Sequence, residues 1–232
     1  MLNIMKLEIE KLKIGGYVLK AFIANIIIII SFWFMVRITP AEDISSSMAG
    51  FCEILFPKID FVVKATFIIF ASVLIARLII EEYRNKTISV LFMYPVNRKI
   101  LMMSKLAIVV LFTFLTVLLS DIFVSSMLYV INTFDPVLKT DLTGNIAIEG
   151  FSNYLISALA TSGIGLIPLY FGMRKKSVIA TIISSILIVA IMRPNIGDFS
   201  MNSNGMAIVL ALIGICIAFM SFRDIERKDV TN

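Results

Sequence analysis

Residues 61–80 read FVVKATFIIFASVLIARLII and carry only two charged side chains, Lys64 and Arg77. A helix of about 20 apolar residues crosses the hydrocarbon core of a bilayer. Lipid offers no partners for backbone N–H and C=O groups, so such a segment must be helical despite its Ile and Val content. Similar stretches lie at 17–36, 101–123, 154–173, 178–192 and 206–222. The sequence therefore predicts an all-α integral membrane protein with about six transmembrane helices, as one transmembrane domain over residues 1–232.

The composition of the 232-residue chain also favours a lipid environment. Hydrophobic residues make up 59% of it and charged residues 16%, whereas soluble domains are about half apolar and about a quarter charged. The net charge is +5, but the basic residues form short clusters between apolar runs, which is typical of membrane topology and not of a nucleic-acid surface. The chain has no histidine, which excludes histidine general-base catalysis and most zinc sites. We expect no metal site.

The distribution of Lys and Arg predicts the orientation. In the segments flanking the spans, 14 of these residues lie on one side of the membrane and 4 on the other. The richer side is cytoplasmic, so both termini are predicted inside. For the third span, we expect the part beyond Asp121 to stand outside the bilayer. Before the first span, residues 1–16 are predicted to form an interfacial helix with one apolar face; that face carries Met1, Leu2, Met5, Ile9 and Leu12.

The connection between the second and third spans, residues 81–99, reads EEYRNKTISVLFMYPVNRK. Ile88, Leu91 and Phe92 recur at helical spacing, and Pro95 ends the helix after Tyr94. The stretch therefore predicts a short amphipathic helix beneath the membrane. Two interpretations stay open from the residues alone. The helix lies on the lipid surface, or it docks into a groove of a cytoplasmic partner.

The same connection resembles a known family. The segments 82–87 (EYRNKT), 94–101 (YPVNRKIL) and 104–106 (SKL) are similar to the first cytoplasmic loop of ABC-2 type transporter permeases. Six spans and an interfacial N-terminal helix fit the same family. Two positions depart from its pattern: Lys86 replaces a frequent glycine, and Asn97 replaces a frequent serine. Lysine at the first position is closer to the small permeases of peptide-antibiotic resistance and immunity exporters.

The resemblance implies a partner and a mechanism. Residues 87–94 would be a coupling helix in a cleft of an ATP-binding-cassette ATPase subunit, where ATP-driven closure pushes on the spans. The docking residues would be Glu82, Arg84, Thr87, Ile88, Leu91, Phe92, Tyr94, Pro95 and Arg98. A second permease chain, identical or homologous, would complete the pathway in a bacterial plasma membrane. The chain lacks a phosphate-binding loop motif, so it is not expected to be an enzyme. It would bind no cofactor directly; ATP and Mg would sit on the partner.

Ionisable residues within a span are costly and are functional candidates by default. Lys64 lies one turn inside the outer end of the second span, and Asp121 lies at the outer end of the third. Either they pair as an intramembrane charge pair, or each extends separately to the outer interface. Arg77 and Lys105, near the inner ends, are interpreted as topology anchors.

The fourth span contains a run of small residues between 157 and 165, followed by Pro168. Small residues permit close helix approach in lipid, either within the chain or between subunits. Proline is expected to bend the helix just beyond them.

The function predicted from these features is a permease subunit of an ABC exporter. The expected substrate is hydrophobic or amphipathic, with a peptide or peptide antibiotic favoured, because no charged path sized for sugars or ions is evident. The alternatives are a non-transporting scaffold or sensor subunit of an ABC complex, and a gradient-driven secondary transporter, which would require midplane acids and broken helices. A membrane enzyme fits worst, since no histidine, cysteine pair or acid cluster gathers at one depth.

Overall fold

The computed structural model describes residues 14–38, 51–84, 98–134, 144–192 and 203–229. Apart from short turns, all of these residues are helical and none forms a strand. The elements are α1 (Ile14–Ile38), α2 (Phe51–Ile75), a π-helical turn (Ala76–Ile80), α3 (Glu81–Arg84), α4 (Arg98–Phe134), α5 (Gly144–Ile164), α6 (Ile167–Lys175), α7 (Val178–Ile191) and α8 (Ser203–Asp229). The predicted fold class is confirmed. The interfacial helix predicted for residues 1–16 lies, up to residue 13, outside the described residues.

Within the described ranges, four helical segments are long and apolar enough to cross a membrane: Gly15–Phe34, Lys58–Ile80, Leu101–Leu128 and Phe151–Lys175. Two shorter apolar helices, Val178–Ile191 and Ala207–Phe219, cover the remaining predicted stretches. All six stretches are thus helical, while the count of six complete spans stays a prediction. Helix α4 is a single helix of 37 residues, about 55 Å long at the usual rise per residue.

The helices pack around a central group of α2, α4 and α5, with α1 against α4, α7 against α2, and α8 against α5. Apolar side chains fill the space between the central three helices, among them Phe67, Val117 and Ala158, all nearly inaccessible. The outward faces expose equally apolar side chains, such as Leu119 and Phe219. An apolar interior with an apolar exterior suits a bundle whose solvent is lipid.

Two glycines bring α5 and α8 into close contact. A β-carbon on Gly214 would lie 2.2 Å from the Gly163 carbonyl oxygen, and one on Gly163 would lie 2.9 Å from the Ala211 β-carbon. Side chains at these positions would force the helices apart. The small residues of the fourth predicted span therefore pack within the chain, which is one of the two roles the sequence allows.

The fourth predicted span is broken, not merely bent. Helix α5 ends at Ile164 and α6 begins at Ile167. Pro168 lies in the first turn of α6, where its missing N–H and fixed φ are tolerated. Gly172 lies beside Ile80, so the exposed basic turn 174–176 sits at the same end of the bundle as the π-helical turn. Residues predicted to be cytoplasmic thus share one end, called the inner end below.

Candidate functional site

The structure describes only the two flanks of the predicted docking loop. Glu82 and Arg84 lie on α3 at the inner end, and Arg98 begins α4, where only its backbone is described. The other predicted docking residues fall outside the described residues: Thr87, Ile88, Leu91, Phe92, Tyr94 and Pro95. The coupling helix stays a prediction, while its attachment to the bundle can be described.

That attachment is a buried ion pair that joins the two flanks of the loop. The Lys105 ammonium on α4 binds the Glu82 carboxylate on α3 and donates to the Leu78 carbonyl oxygen at 3.2 Å. The Lys105 side chain is 1% exposed and that of Glu82 15%. The interpretation of Lys105 as a topology anchor stays a prediction, and the structure adds that its ammonium is buried and paired inside the protein. A carboxylate and a carbonyl lie within its reach, and they compensate a buried charge that would be strongly unfavourable without them.

The acceptor carbonyl belongs to the π-helical turn Ala76–Ile80, at whose end the Glu81 N–H bonds the Ala76 carbonyl. A π-helical turn inserts one extra residue and rearranges the local carbonyls; such turns frequently occur at functional sites. Arg77, in the same turn, is exposed, as expected of a residue at the inner interface.

A second group of charged side chains lies towards the opposite, outer end. Lys64 pairs with Asp60, with Nζ 2.6 Å from Oδ2, and their side chains are 4% and 14% exposed. The Ser157 hydroxyl on α5 donates to Asp60 Oδ1. The outer cluster, defined as Asp60, Lys64, Asp121 and Ser157, thus draws on α2, α4 and α5.

The predicted pair between Lys64 and Asp121 is not formed. Asp121 is completely buried, and neither carboxylate oxygen has a hydrogen-bond partner among the residues that the structure describes. Lys64 binds Asp60 instead, because residues four apart on one helix face each other. Asp60 and Lys64 are nevertheless close enough to act on Asp121 electrostatically. The structure therefore brings the two predicted residues into one cluster without bonding them to each other.

Neutral polar contacts surround this cluster. Asn25 Nδ2 on α1 donates to Ser120 Oγ on α4 at 2.9 Å, and the Ser125 and Tyr154 hydroxyl oxygens are 2.6 Å apart between α4 and α5. Such hydrogen bonds hold helices together where lipid supplies no hydrophobic driving force.

Sequence reasoning missed two of these partners for different reasons. Asp60 lies just before the apolar stretch 61–80, so the sequence does not place it inside the membrane, although its spacing from Lys64 is a local signal of an i, i+4 pair. Glu82 and Lys105 are 23 residues apart, and nothing local indicates that the chain brings them together.

The family model described as ABC-2 family transporter protein matches residues 4–192. The chain belongs to this family of transporters. The uncharacterized protein YcbO of Bacillus subtilis (strain 168) is 36% identical over 229 residues, which covers 98% of this chain and 100% of YcbO. No solved structure matches the chain.

Family membership indicates what kind of subunit these helices form. An ABC-2 chain is a multi-pass membrane permease subunit that works with a separate ATP-binding-cassette subunit and is not itself the nucleotide-binding component. The resemblance read from the loop between the second and third spans is therefore confirmed.

Proposed function

We propose that this permease subunit exports a hydrophobic or amphipathic substrate, with a membrane-active peptide as the favoured class. The observation that carries the proposal is the buried contact of Lys105 with Glu82 and the Leu78 carbonyl. It joins both flanks of the loop that, in this proposal, docks the ATPase partner. A push on that loop is therefore passed to α2 and α4 together.

The burial of this contact explains why it transmits motion well. An exposed salt bridge contributes little and gives way easily. A buried lysine that loses its carboxylate is left with an uncompensated charge, so the separation of α3 from α4 is strongly opposed. The loop and the two spans should consequently move as one body when two ATPase subunits close.

The interior supports an apolar substrate. Several buried hydroxyls donate to carbonyl groups of their own helices, including Thr113 to Val109, Thr161 to Ser157 and Ser185 to Ile182. Such hydroxyls are masked as hydrogen-bond donors and do not line a polar path. An amphipathic molecule that enters sideways from the lipid fits this interior better than a sugar or an ion.

The assembly that we propose contains two permease chains, identical or homologous, and two ATPase subunits on the cytoplasmic side of a bacterial plasma membrane. Both termini of the permease would be cytoplasmic. ATP and Mg would bind to the ATPase subunits only.

Docking is tested by purifying the tagged chain from native membranes. We expect a stoichiometric ATPase subunit that is lost with Leu91→Asp or Phe92→Asp. Val90→Asp is the matched control, since the predicted helix places residue 90 on the opposite face. Equal loss with all three variants, or full transport by the permease purified alone, would contradict the proposal.

Substrate and direction require a transport measurement. Inverted membrane vesicles that contain the complex should accumulate a labelled membrane-active peptide only when ATP is added, because uptake into inverted vesicles corresponds to export from the cell. Phe92→Asp vesicles should not accumulate it. Uptake of sugars or inorganic ions in place of the peptide would refute the substrate class.

A further inference from the structure

The outer cluster contains one acid more than its neighbours can balance. Asp60 and Lys64 form a pair, and the Ser157 hydroxyl satisfies the second Asp60 oxygen. Asp121 is 0% exposed, yet among the described residues neither of its oxygens has a hydrogen-bond donor. In a lipid-embedded bundle, this leaves a carboxyl group that is shielded from bulk solvent and has no partner in the described part of the chain.

Among the described side chains of the neighbouring helices, we find no group that supplies the missing positive charge. From α2, the charged groups that act on Asp121 are Asp60 and Lys64. From α1, the Asn25 amide donates to Ser120, the residue next to Asp121. From α5, Ser157 donates to Asp60, and the Tyr154 hydroxyl contacts Ser125. Among the described side chains, the count around Asp121 is therefore two carboxyl groups and one ammonium.

A single bound proton removes the imbalance. An isolated carboxylate is very unfavourable away from water, whereas the neutral acid is tolerated far better. With one proton on Asp121, the acid is neutral and the Asp60–Lys64 pair is balanced. We propose that the outer cluster is a proton-binding site, in which Asp121 holds one proton while the outer half of the bundle is closed as in this structure.

The ligand is a proton and not a metal ion. A cation such as Na⁺ or Mg²⁺ is held by several oxygen ligands, and the described residues gather no group of three or more acidic, cysteine or histidine side chains for a metal. A proton needs only one carboxylate oxygen.

The proposed site predicts that the stability of the closed bundle depends on the pH outside the cell. When the outer half opens, water reaches Asp121 and the carboxyl group releases its proton, because hydration stabilises the charged form. Acid therefore favours the closed bundle, and the closed bundle loses stability as the pH rises. This consequence does not depend on which substrate the permease moves.

Infrared spectroscopy of the full-length protein in lipid nanodiscs tests the site directly. We expect wild-type protein at neutral pH to show the carbonyl stretch of a buried carboxylic acid, which shifts when aspartate is labelled with ¹³C at its side-chain carboxyl. The band should be lost in Asp121→Asn. It should persist in Glu81→Gln, the matched control at the inner end.

Each other outcome would overturn the proposal. A labelled wild-type spectrum with no protonated aspartate would mean that Asp121 is ionised; that measurement needs no variant and stands even if Asp121→Asn does not fold. A labelled band that Asp121→Asn leaves unchanged would place the proton on another aspartate. A band that appears only after sodium is removed would identify a sodium site.

Discussion

In the described part of the chain, each end of the bundle buries one lysine, and the two lysines have different partners. At the inner end, Lys105 on α4 binds Glu82 on α3 and the Leu78 carbonyl. At the outer end, Lys64 binds Asp60 on its own helix, and Asp121 is left without a hydrogen-bond partner. The inner contact connects different elements and balances its charges. The outer one stays within a single helix and has a surplus acid.

The difference indicates two different tasks. A balanced pair between elements fixes their distance, which would suit the end where we propose that the ATPase partner pushes on the protein. An unbalanced cluster changes its charge when water enters, which would suit the outer end that we propose to open and close. Substitutions at the two ends test this difference.

The largest loss of stability is expected from Glu82→Ala, because this change removes the carboxylate that the buried Lys105 ammonium binds. Breaking a buried pair from one side costs about 3–5 kcal/mol, measured here as reduced thermal stability of the purified chain in detergent. Glu81→Ala, at the adjacent and also partly buried position, is the control, with a loss below about 0.5 kcal/mol. Similar losses for the two variants would show that the ion pair has no special role.

Lys64→Met should reduce the stability of the folded chain less than Glu82→Ala does, by about 2 kcal/mol at neutral pH. The remaining acids can be neutralised by protons. The stability of this variant should recover as the pH is lowered. Glu82→Ala should not recover in acid, since its unpaired group is a lysine. A thermal-stability series against pH for both variants checks this, and parallel pH dependences would remove the contrast between the two ends.

Ser157→Ala removes the hydroxyl that donates to Asp60. A hydrogen bond to a charged group contributes about 1.5 kcal/mol or more, so a loss near that value is expected in the same assay. Ser162→Ala is the control on the same helix, because the Ser162 hydroxyl donates to the Leu159 carbonyl of its own helix at 2.8 Å. If Ser162→Ala loses as much stability, the hydrogen bond from Ser157 to Asp60 has no special contribution to stability.

The smallest effect is expected from Asp121→Asn at neutral pH, below about 0.5 kcal/mol, because asparagine matches the shape and charge of a protonated aspartate. Asp60→Asn, the matched amide substitution on α2, should be clearly more destabilising, since it removes the direct partner of Lys64. A reversal of this order would show that Asp121 is the ionised acid.

Much of the fold could be predicted from the sequence because lipid restricts the choices. Unbroken apolar runs such as 61–80 must be helical. Pro168 predicts a bend in the fourth span, whereas the structure has a break that begins after Ile164, before the proline. The α5–α8 crossing could not be predicted, since the small residues around Gly163 fit a contact within the chain or between chains. The positions of Ala211 and Gly214 on α8 show that Gly163 makes its close contact within the chain.

The candidate site was predicted less completely. The residues of the docking loop were predicted through their resemblance to a family pattern. Such a pattern carries no three-dimensional information. Lys64 and Asp121 were singled out as intramembrane charges, but a competing partner four residues away, Asp60, prevented the expected pair. The Glu82–Lys105 contact depends on how α3 and α4 meet, which no local pattern encodes.

The most direct test of the account is a cross-linking measurement at the docking loop. A photoreactive group is attached at Phe92→Cys in a background with Cys52→Ser and Cys216→Ser, and the complex is illuminated in native membranes. The account predicts a covalent product with an ATP-binding subunit, which is absent when the group is attached at Val90→Cys. Products with lipid alone, or reaction only with a probe applied from outside the cell, would contradict it.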